Sequence, residues 1–387
     1  MSEATTGLLA TADGELFEGT SVGTDGVVTG EAVFNTSMTG YQEILTDPSY
    51  AGQIVVMTSP HVGNYGVNGF DEQSSGPAVS GFVMRSMSRR ASNWRAEGTL
   101  SDYFANNQMV ALSDIDTRRL TRHLRDRGAM PVAMGAGMSE RDLRDAAEGA
   151  PGMEGQDLAS LVTTPEPYLV EAEGERLGAV VAIDLGIKRD ILRNLTQRGF
   201  DVEVMPAGAS ATTIMESNPD GVFVSNGPGD PEPLIATIET LRQLIGKTPT
   251  FGICLGHQVM GLAIGGATFK LPFGHHGGNH PVRRFSDDRI EITAQNHGFA
   301  LDLWQLSEHE APTRGELVAP DLLPESVDTE FGMVRPSHQN LNDGTLEGMT
   351  FEDVPAYSVQ YHPESAPGPS EARSLFDDFV TLIEAGR

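Results

Sequence analysis

The second half of the chain alternates between short apolar runs and amphipathic segments. Near-continuous apolar runs such as AVVAID (179–184) and GVFVS (221–225) are typical of strands that are buried on both faces. Amphipathic segments at 187–198 and 233–246 follow them, and GHQVMGLAIGG (256–266) has the pattern of another helix. The alternation predicts an α/β fold with a mostly parallel sheet flanked by helices, in which ligands bind at the carboxyl ends of the strands.

The first half of the chain has a different pattern, in which short apolar runs are separated by Gly, Ser, Thr and Asn. It predicts a strand-rich α/β domain with turns, whose strands lie near 7–10, 27–34, 53–57 and 79–84. A helix is expected to begin after Asp116, whose side chain can cap it, with Leu120 and Leu124 on one face.

The change of pattern divides the chain into two domains, at 1–162 and 179–387. The segment 163–178 (TTPEPYLVEAEGERLG) contains two prolines and several acids, and we interpret it as an interdomain linker. The acidic stretch near 301–335 has no clear period and is predicted to be a solvated surface loop, with a regulatory role left open.

The composition excludes several classes of function. Acidic residues number 54 and basic residues 26, a formal net charge of −28, so we expect neither general nucleic-acid binding nor membrane association. No apolar run reaches the ~18 residues of a membrane span, and the segment Met1–Ala10 lacks the features of a signal peptide. The single cysteine, Cys254, excludes an internal disulfide bond and a multi-cysteine metal site. These features predict a soluble, cytoplasmic protein.

The strongest chemical signal is Gly252-Ile253-Cys254-Leu255-Gly256, which lies between a predicted strand and a predicted helix. It is the cysteine form of the G-x-S-x-G nucleophile elbow, in which a strained turn presents the nucleophile and the following helix N-terminus favours the thiolate. A lone cysteine after an apolar strand is often only a small buried hydrophobe, but the flanking glycines favour a catalytic role.

A thiolate nucleophile needs a partner for proton transfer, and His362 follows the apolar run AYSVQY at a strand end. His362 can take up and return the proton, while Glu364 orients the imidazole and stabilises its charged form. The segment SNGPGDP (225–231) follows another strand, and its glycines allow backbone N–H groups to face an oxyanion, although such sequences are also common in turns.

These motifs together resemble the class I glutamine amidotransferases. Further segments narrow the resemblance to the small, glutaminase subunit of glutamine-dependent carbamoyl phosphate synthetases: FNTSMTGYQEILTDPSY (34–50), DIDTR (114–118), FGHHGGNHPV (273–282), TAQNHGFA (293–300) and HPESAPGP (362–369). The resemblance spans almost the whole chain except the acidic stretch, and the block at 34–50 is not shared by other amidotransferases.

The resemblance implies a role for each matching position. Cys254 would be the nucleophile and would form a catalytic triad with His362 and Glu364. The backbone N–H groups of Leu255 and Gly229 would form the oxyanion hole. The positions implied to hold L-glutamine are Ser49, Gly227, Gly229, Leu255, Gln258, Asn296, Gly298 and Phe299. Gln258 lies four residues after the nucleophile, about one helical turn along the same face.

The resemblance also implies a partner. Ammonia would pass through an internal tunnel to a large subunit, which uses bicarbonate and two ATP to make carbamoyl phosphate for arginine and pyrimidine biosynthesis. This chain has no G-x-x-x-x-G-K-[ST] loop, so we expect no cofactor here and expect ATP and a divalent cation on the large subunit.

Two further clusters stand out in the sequence. His275, His276 and His280 are close together, but two glycines between them and no nearby Cys or acid favour a loop that is structural or shapes the active site over a metal site. Nine of the 23 arginines lie between Arg85 and Arg127. Few aromatic residues lie among them, and the resemblance implies a role in partner contact or internal ion pairing, which we favour over nucleic-acid binding.

Three other functions remain open at this point. The chain is interpreted alternatively as the amidotransferase subunit of another synthase, as a stand-alone cysteine hydrolase, or as a binding module without catalysis. The intact Cys, His and Glu count against the last of these.

The acid excess, with three lysines against 23 arginines, predicts adaptation to concentrated salt. Carboxylates repel one another unless ions screen them, and the Debye length falls to about 3 Å at 1 M salt. We expect the circular dichroism of the native fold to be lost as KCl falls below the molar range. Full stability in dilute buffer would contradict this prediction.

Overall fold

The computed structural model describes residues 5–307 and 323–386, and its α/β architecture confirms the predicted fold class. The chain forms two compact units, Met1–Gln156 with Pro272–Gly277, and Asp157–Leu271 with Gly278–Arg387. Within the described ranges, no helix has both the length and the apolar character needed to cross a bilayer.

Unit 1 is built on a closed barrel whose strand order is β1-β2-β6-β5-β4-β3-β7, with β7 paired to β1. The neighbours β3–β4, β4–β5 and β5–β6 are parallel. Its strands are β1 (Thr6–Thr11), β2 (Leu16–Ser21), β3 (Val27–Asn35), β4 (Gln53–Met57), β5 (Gly81–Val83), β6 (Ala111–Ser113) and β7 (Met130–Gly135). Its helices are α1 (Tyr41–Thr46), α2 (Leu100–Asn106), α3 (Thr117–Arg127) and α4 (Glu140–Glu148).

The helix expected after Asp116 is α3, and its cap is confirmed. The Asp116 carboxylate accepts a hydrogen bond of 3.0 Å from the backbone N–H of Arg119. Leu120 and Leu124 are fully buried, so α3 packs on the barrel through the face that the sequence predicts.

Unit 2 is built on a mixed sheet of order β14-β13-β16-β17-β18-β12-β11-β9-β10-β8, with β15 paired to β16. Its elements are α5 (Ala159–Val162), β8 (Tyr168–Val170), β9 (Gly178–Asp184), α6 (Arg189–Thr196), β10 (Phe200–Pro206), α7 (Ala211–Glu216), β11 (Gly221–Val224), α8 (Ile235–Leu244), β12 (Thr250–Ile253), α9 (Leu255–Ala263), β13 (Ala267–Arg284), β14 (Arg289–Asp302), β15 (Val327–Thr329), β16 (Gly332–Asn340), β17 (Leu346–Phe351), β18 (Ala356–Val359) and α10 (Ser374–Gly386). The strands β10, β9, β11, β12 and β18 are parallel to one another.

Helices cover both faces of these parallel strands. In β9, Val181 and Ile183 belong to the apolar cluster formed with α7, α8 and α9, whereas Val180 and Ala182 belong to the cluster formed with α6 and α10. Successive strand residues point to opposite faces, so a strand that is covered on both sides must be apolar at nearly every position.

Two segments differ from the sequence predictions. The predicted linker, 163–178, lies inside unit 2, and β8 within it pairs antiparallel with β10. The acidic stretch 301–335 is not wholly a loop, because β15 and the first residues of β16 form an antiparallel pair there. Its central part, 308–322, lies outside the described residues. Proline and acidic content suggested irregular structure in both places, but pairing with a neighbouring strand outweighs that local preference.

Candidate active site

Cys254 occupies a sharp turn between β12 and α9. Its backbone has φ 55° and ψ −107°, a strained conformation for a residue with a side chain. A Cβ on Gly252 would lie 2.5 Å from the sulfur of Met260, and a Cβ on Gly256 would lie 2.2 Å from the carbonyl oxygen of Val224. The two glycines therefore allow α9 to pack closely against the sheet directly after the turn.

Parallel pairing brings the predicted triad together. Because β12 and β18 run in the same direction, Cys254 and His362 emerge at the same edge of the sheet. His362 Nδ1 lies 2.7 Å from Glu364 Oε1. Within the described part of the chain the other ring nitrogen, Nε2, has no hydrogen-bond partner, which leaves it available to exchange a proton with the Cys254 sulfur. All three residues are at most 3 % exposed.

The charges of these groups depend on one another. Burial by itself lowers the pKa of His362, but the negative charges of Glu364 and Cys254 outweigh burial and raise this pKa to about 10. Burial likewise raises the pKa of Glu364, but the positive charges of Lys188 and His362 prevail and lower it to about 2. At neutral pH the site therefore holds an imidazolium beside an ionised carboxylate.

Lys188 is a member of this charge cluster that the sequence analysis missed. Its ammonium group lies 2.8 Å from Glu364 Oε1 and donates a hydrogen bond of 2.7 Å to the carbonyl oxygen of Ser365. The side chain is 2 % exposed, which is rare for a lysine. The sequence did contain a signal for a special role of Lys188, because the chain has only three lysines and uses arginine for its other 23 basic residues.

The loop that contains Gly227 and Gly229 is held against the end of β9. The backbone N–H of Leu185 donates to the hydroxyl oxygen of Ser225 over 2.9 Å, and a Cβ on Gly227 would lie 2.1 Å from the carbonyl oxygen of Leu185. Gly229 has φ 89°, a conformation that favours glycine. Leu255 is the first residue of α9, so its N–H belongs to the helix end that lacks intrahelical acceptors.

Residues of β14 run past the triad. The backbone N–H of His362 donates to the carbonyl oxygen of Ala294 over 2.9 Å, and the Cys254 sulfur lies 3.5 Å from the carbonyl oxygen of Asn296. The amide nitrogen of Gln258 donates to the carbonyl oxygen of Phe299 over 2.7 Å. Unit 2 thus contains every predicted glutamine-binding residue except Ser49, which is buried in unit 1.

A second buried polar network, which was not predicted from the sequence, supports this part of β14. The side-chain amide of Gln295 donates to Glu347 Oε2 over 2.8 Å, and that of Asn340 donates to Glu347 Oε1 over the same distance. His297 contacts the oxygen of the Gln295 side chain and the carbonyl oxygen of Phe299. These bonds fix the strand on either side of Asn296.

The three clustered histidines do not form a loop. They lie in the continuous strand β13, where pairing with neighbouring strands overrides the turn preference of the two glycines. His276 accepts a hydrogen bond of 3.1 Å at its carbonyl oxygen from the N–H of Thr36, within unit 1.

Comparison with known proteins gives matches over both units. Residues 9–134 match the family described as "Carbamoyl-phosphate synthase small chain, CPSase domain", and residues 181–382 match "Glutamine amidotransferase class-I". The chain is 48 % identical to the carbamoyl phosphate synthase small chain of Syntrophotalea carbinolica and 46 % identical to that of Thioalkalivibrio sulfidiphilus. Each of these alignments covers 98 % of both chains.

We predict that the stabilising effect of His362 decreases at alkaline pH. Its pKa in the folded chain, about 10, lies above the ordinary value of 6.5, so the stabilisation is complete below 6.5 and is lost as the pH rises through about 10. The difference in unfolding free energy between the wild type and His362→Asn should therefore shrink between pH 6.5 and 10 in denaturant titrations. His61→Asn, at an exposed position, is the control, and a difference that stays constant or grows would refute the prediction.

Replacing Lys188 should destabilise the fold strongly. Lys188→Met leaves the buried Glu364 carboxylate without its ammonium partner, a change that typically costs about 3–5 kcal/mol. Urea unfolding should show this loss, and adding Glu364→Gln should recover part of it. Lys247→Met, at an exposed position, should change stability by less than about 0.5 kcal/mol. If the two lysine variants lowered the free energy of unfolding equally, the buried Lys188–Glu364 pair would contribute nothing to stability.

Proposed function

Since the chain belongs to the carbamoyl-phosphate synthase small chain family, we propose that it hydrolyses L-glutamine and passes ammonia to a large subunit that makes carbamoyl phosphate. The observation that carries this proposal is the buried arrangement of Cys254, His362 and Glu364 at one edge of the sheet. The complex would be a glutamine-hydrolysing carbamoyl-phosphate synthase that acts in the cytoplasm and serves arginine and pyrimidine biosynthesis.

The first half of the reaction forms a thioester. The Cys254 thiolate attacks the carboxamide carbon of glutamine, and the N–H groups of Leu255 and Gly229 stabilise the oxyanion. The His362 imidazolium donates its proton to the departing nitrogen, so that the C–N bond breaks and neutral ammonia leaves. The raised pKa of His362 supports this step, since the imidazolium is present at neutral pH before substrate arrives.

The second half of the reaction hydrolyses the thioester. Neutral His362 takes a proton from water, and the resulting hydroxide attacks the thioester carbon. The C–S bond breaks, glutamate leaves, and the thiolate–imidazolium pair is restored. Glu364 stabilises the imidazolium each time it forms, and Lys188 keeps that carboxylate ionised.

Glutamine would be held by the residues that surround Cys254. The carbonyl oxygen of Asn296 lies 3.5 Å from the Cys254 sulfur, and Gln258 bonds the carbonyl oxygen of Phe299 on the same strand, which supports this role for the three residues. We assign Ser49 to the same role from its position in the segment that resembles the family. ATP and a divalent cation would bind to the large subunit, where bicarbonate and ammonia react. The sequence of this chain contains no G-x-x-x-x-G-K-[ST] loop, which supports placing the ATP site on the large subunit.

The family match over residues 9–134 disfavours the alternatives. An amidotransferase subunit of another synthase, or a stand-alone cysteine hydrolase, would share the second half of the chain but would have no reason to carry the first.

The proposal predicts that Cys254→Ser abolishes carbamoyl phosphate synthesis from glutamine and leaves synthesis from added ammonia within about twofold of the wild type. The serine hydroxyl is a far weaker nucleophile than the thiolate at neutral pH. The measurement uses the complex with the large subunit and compares the two nitrogen sources. The ammonia reaction is the internal control for assembly, and retained glutamine activity would remove Cys254 from its role.

A further inference from the structure

Most of the nine arginines between Arg85 and Arg127 lack a carboxylate partner. In the part of the chain that the structure describes, six of these nine have no carboxylate oxygen within 4.0 Å: Arg85, Arg89, Arg90, Arg118, Arg122 and Arg127. In unit 2, by contrast, ion pairs hold Arg176, Arg198 and Arg284. In a chain with twice as many acids as bases, six unpaired guanidinium groups in one region require an explanation.

The segments that carry these arginines follow strands that end at the same end of the barrel. The strands β5 and β6 are parallel neighbours, so the segments that follow them, 84–95 and 114–127, leave the barrel side by side. Arg85 joins the two segments, because its guanidinium donates a hydrogen bond of 3.2 Å to the carbonyl oxygen of Asp114. We call this surface the arginine face, and define it by Arg85, Arg89, Arg90, Trp94, Arg118 and Arg122.

The two arginines on α3 repel each other. Arg118 and Arg122 are exposed and lie one helical turn apart, where a like-charged pair destabilises a helix by roughly 0.2–0.5 kcal/mol. The opposite side of α3 holds the buried Leu120 and Leu124. A surface cleft of about 410 Å³ lies beside the helix, and both arginines line it together with Phe17 and the acidic residues Glu15, Asp116 and Asp126. Glu15 pairs with Arg119, whereas Arg118 and Arg122 have no carboxylate oxygen within 4.0 Å among the described residues, so they can still receive carboxylates from a partner.

An exposed tryptophan adds an apolar contact to the same surface. Trp94 is 91 % exposed, and it lies in the segment that also carries Arg89 and Arg90. Tryptophan and arginine are the residues most enriched among the energetically dominant positions of protein interfaces. A large exposed aromatic ring in the same segment as unpaired guanidinium groups is expected of a surface that a protein partner covers.

We propose that the arginine face docks onto a carboxylate-rich surface of the large subunit. This inference rests on the proposed function, which requires a large subunit, and it adds the surface through which the two subunits recognise each other. The acidic remainder of the chain repels such a partner, so the arginine face would fix the orientation of docking. A nucleic acid is disfavoured, because the net charge of −28 would repel its phosphates.

The test measures binding of the full-length chain to its large subunit at a single salt concentration at which both are folded. Arg118→Glu/Arg122→Glu should raise the dissociation constant at least tenfold, and Trp94→Ala should raise it severalfold. The matched control is Arg141→Glu/Arg144→Glu, which makes the same charge change on the exposed face of α4. Circular dichroism checks that each variant is folded, and glutaminase activity of the free chain should match the wild type.

Each outcome has a distinct meaning. Failure of the wild-type chain to bind any large subunit would overturn the proposed function itself. Normal binding by both Arg118→Glu/Arg122→Glu and Trp94→Ala, or an equal loss in the control, would overturn only the docking proposal. The docking proposal also fails if the arginine variants abolish self-association or binding of a labelled oligonucleotide while leaving large-subunit binding unchanged.

Discussion

A buried row of alternating charges is the constraint on which the rest of unit 2 depends. Cys254, His362, Glu364 and Lys188 are all at most 3 % exposed, and an isolated charge in such surroundings is costly. The Glu364 carboxylate lies between the His362 imidazolium and the Lys188 ammonium, so these three charges are stable only as a set. The set requires the ends of β9, β12 and β18 to meet at one edge, which a parallel sheet provides.

The backbone around this row is strained, and the surrounding structure holds it in place. Cys254, Ser365 and Ala366 all have positive φ, a conformation that costs about 1–3 kcal/mol per residue. The N–H of Cys254 donates to the carbonyl oxygen of Val359 over 2.9 Å, and Lys188 bonds the carbonyl of Ser365. The same lysine thus fixes both the charge of Glu364 and the turn that follows it.

Much of this arrangement could be predicted from the sequence, because it rests on local patterns. Apolar runs identified β9 and β11, the flanking glycines identified the turn at Cys254, and the order of strands placed His362 at the same edge. Lys188 was not predicted, since its role depends on a contact with Glu364, 176 positions later in the chain. The pairing of β8 and β15 was missed for a similar reason: both strands are short, and only their partners β10 and β16 make them strands.

The positions of the positive charges explain both the buried active site and the exposed arginines of α3, which the net charge alone does not. Most of the 54 acidic side chains can face water, where screening by salt limits their repulsion. A buried carboxylate has no water to stabilise its charge and needs a positive neighbour instead. Lys188 fills this role for Glu364. Arg118 and Arg122 lie in the opposite situation, since they are exposed to solvent and have no carboxylate oxygen within 4.0 Å among the residues that the structure describes. The Coulomb attraction that stabilises the buried site is therefore not used by these two side chains, and a second molecule that carries carboxylates would satisfy it.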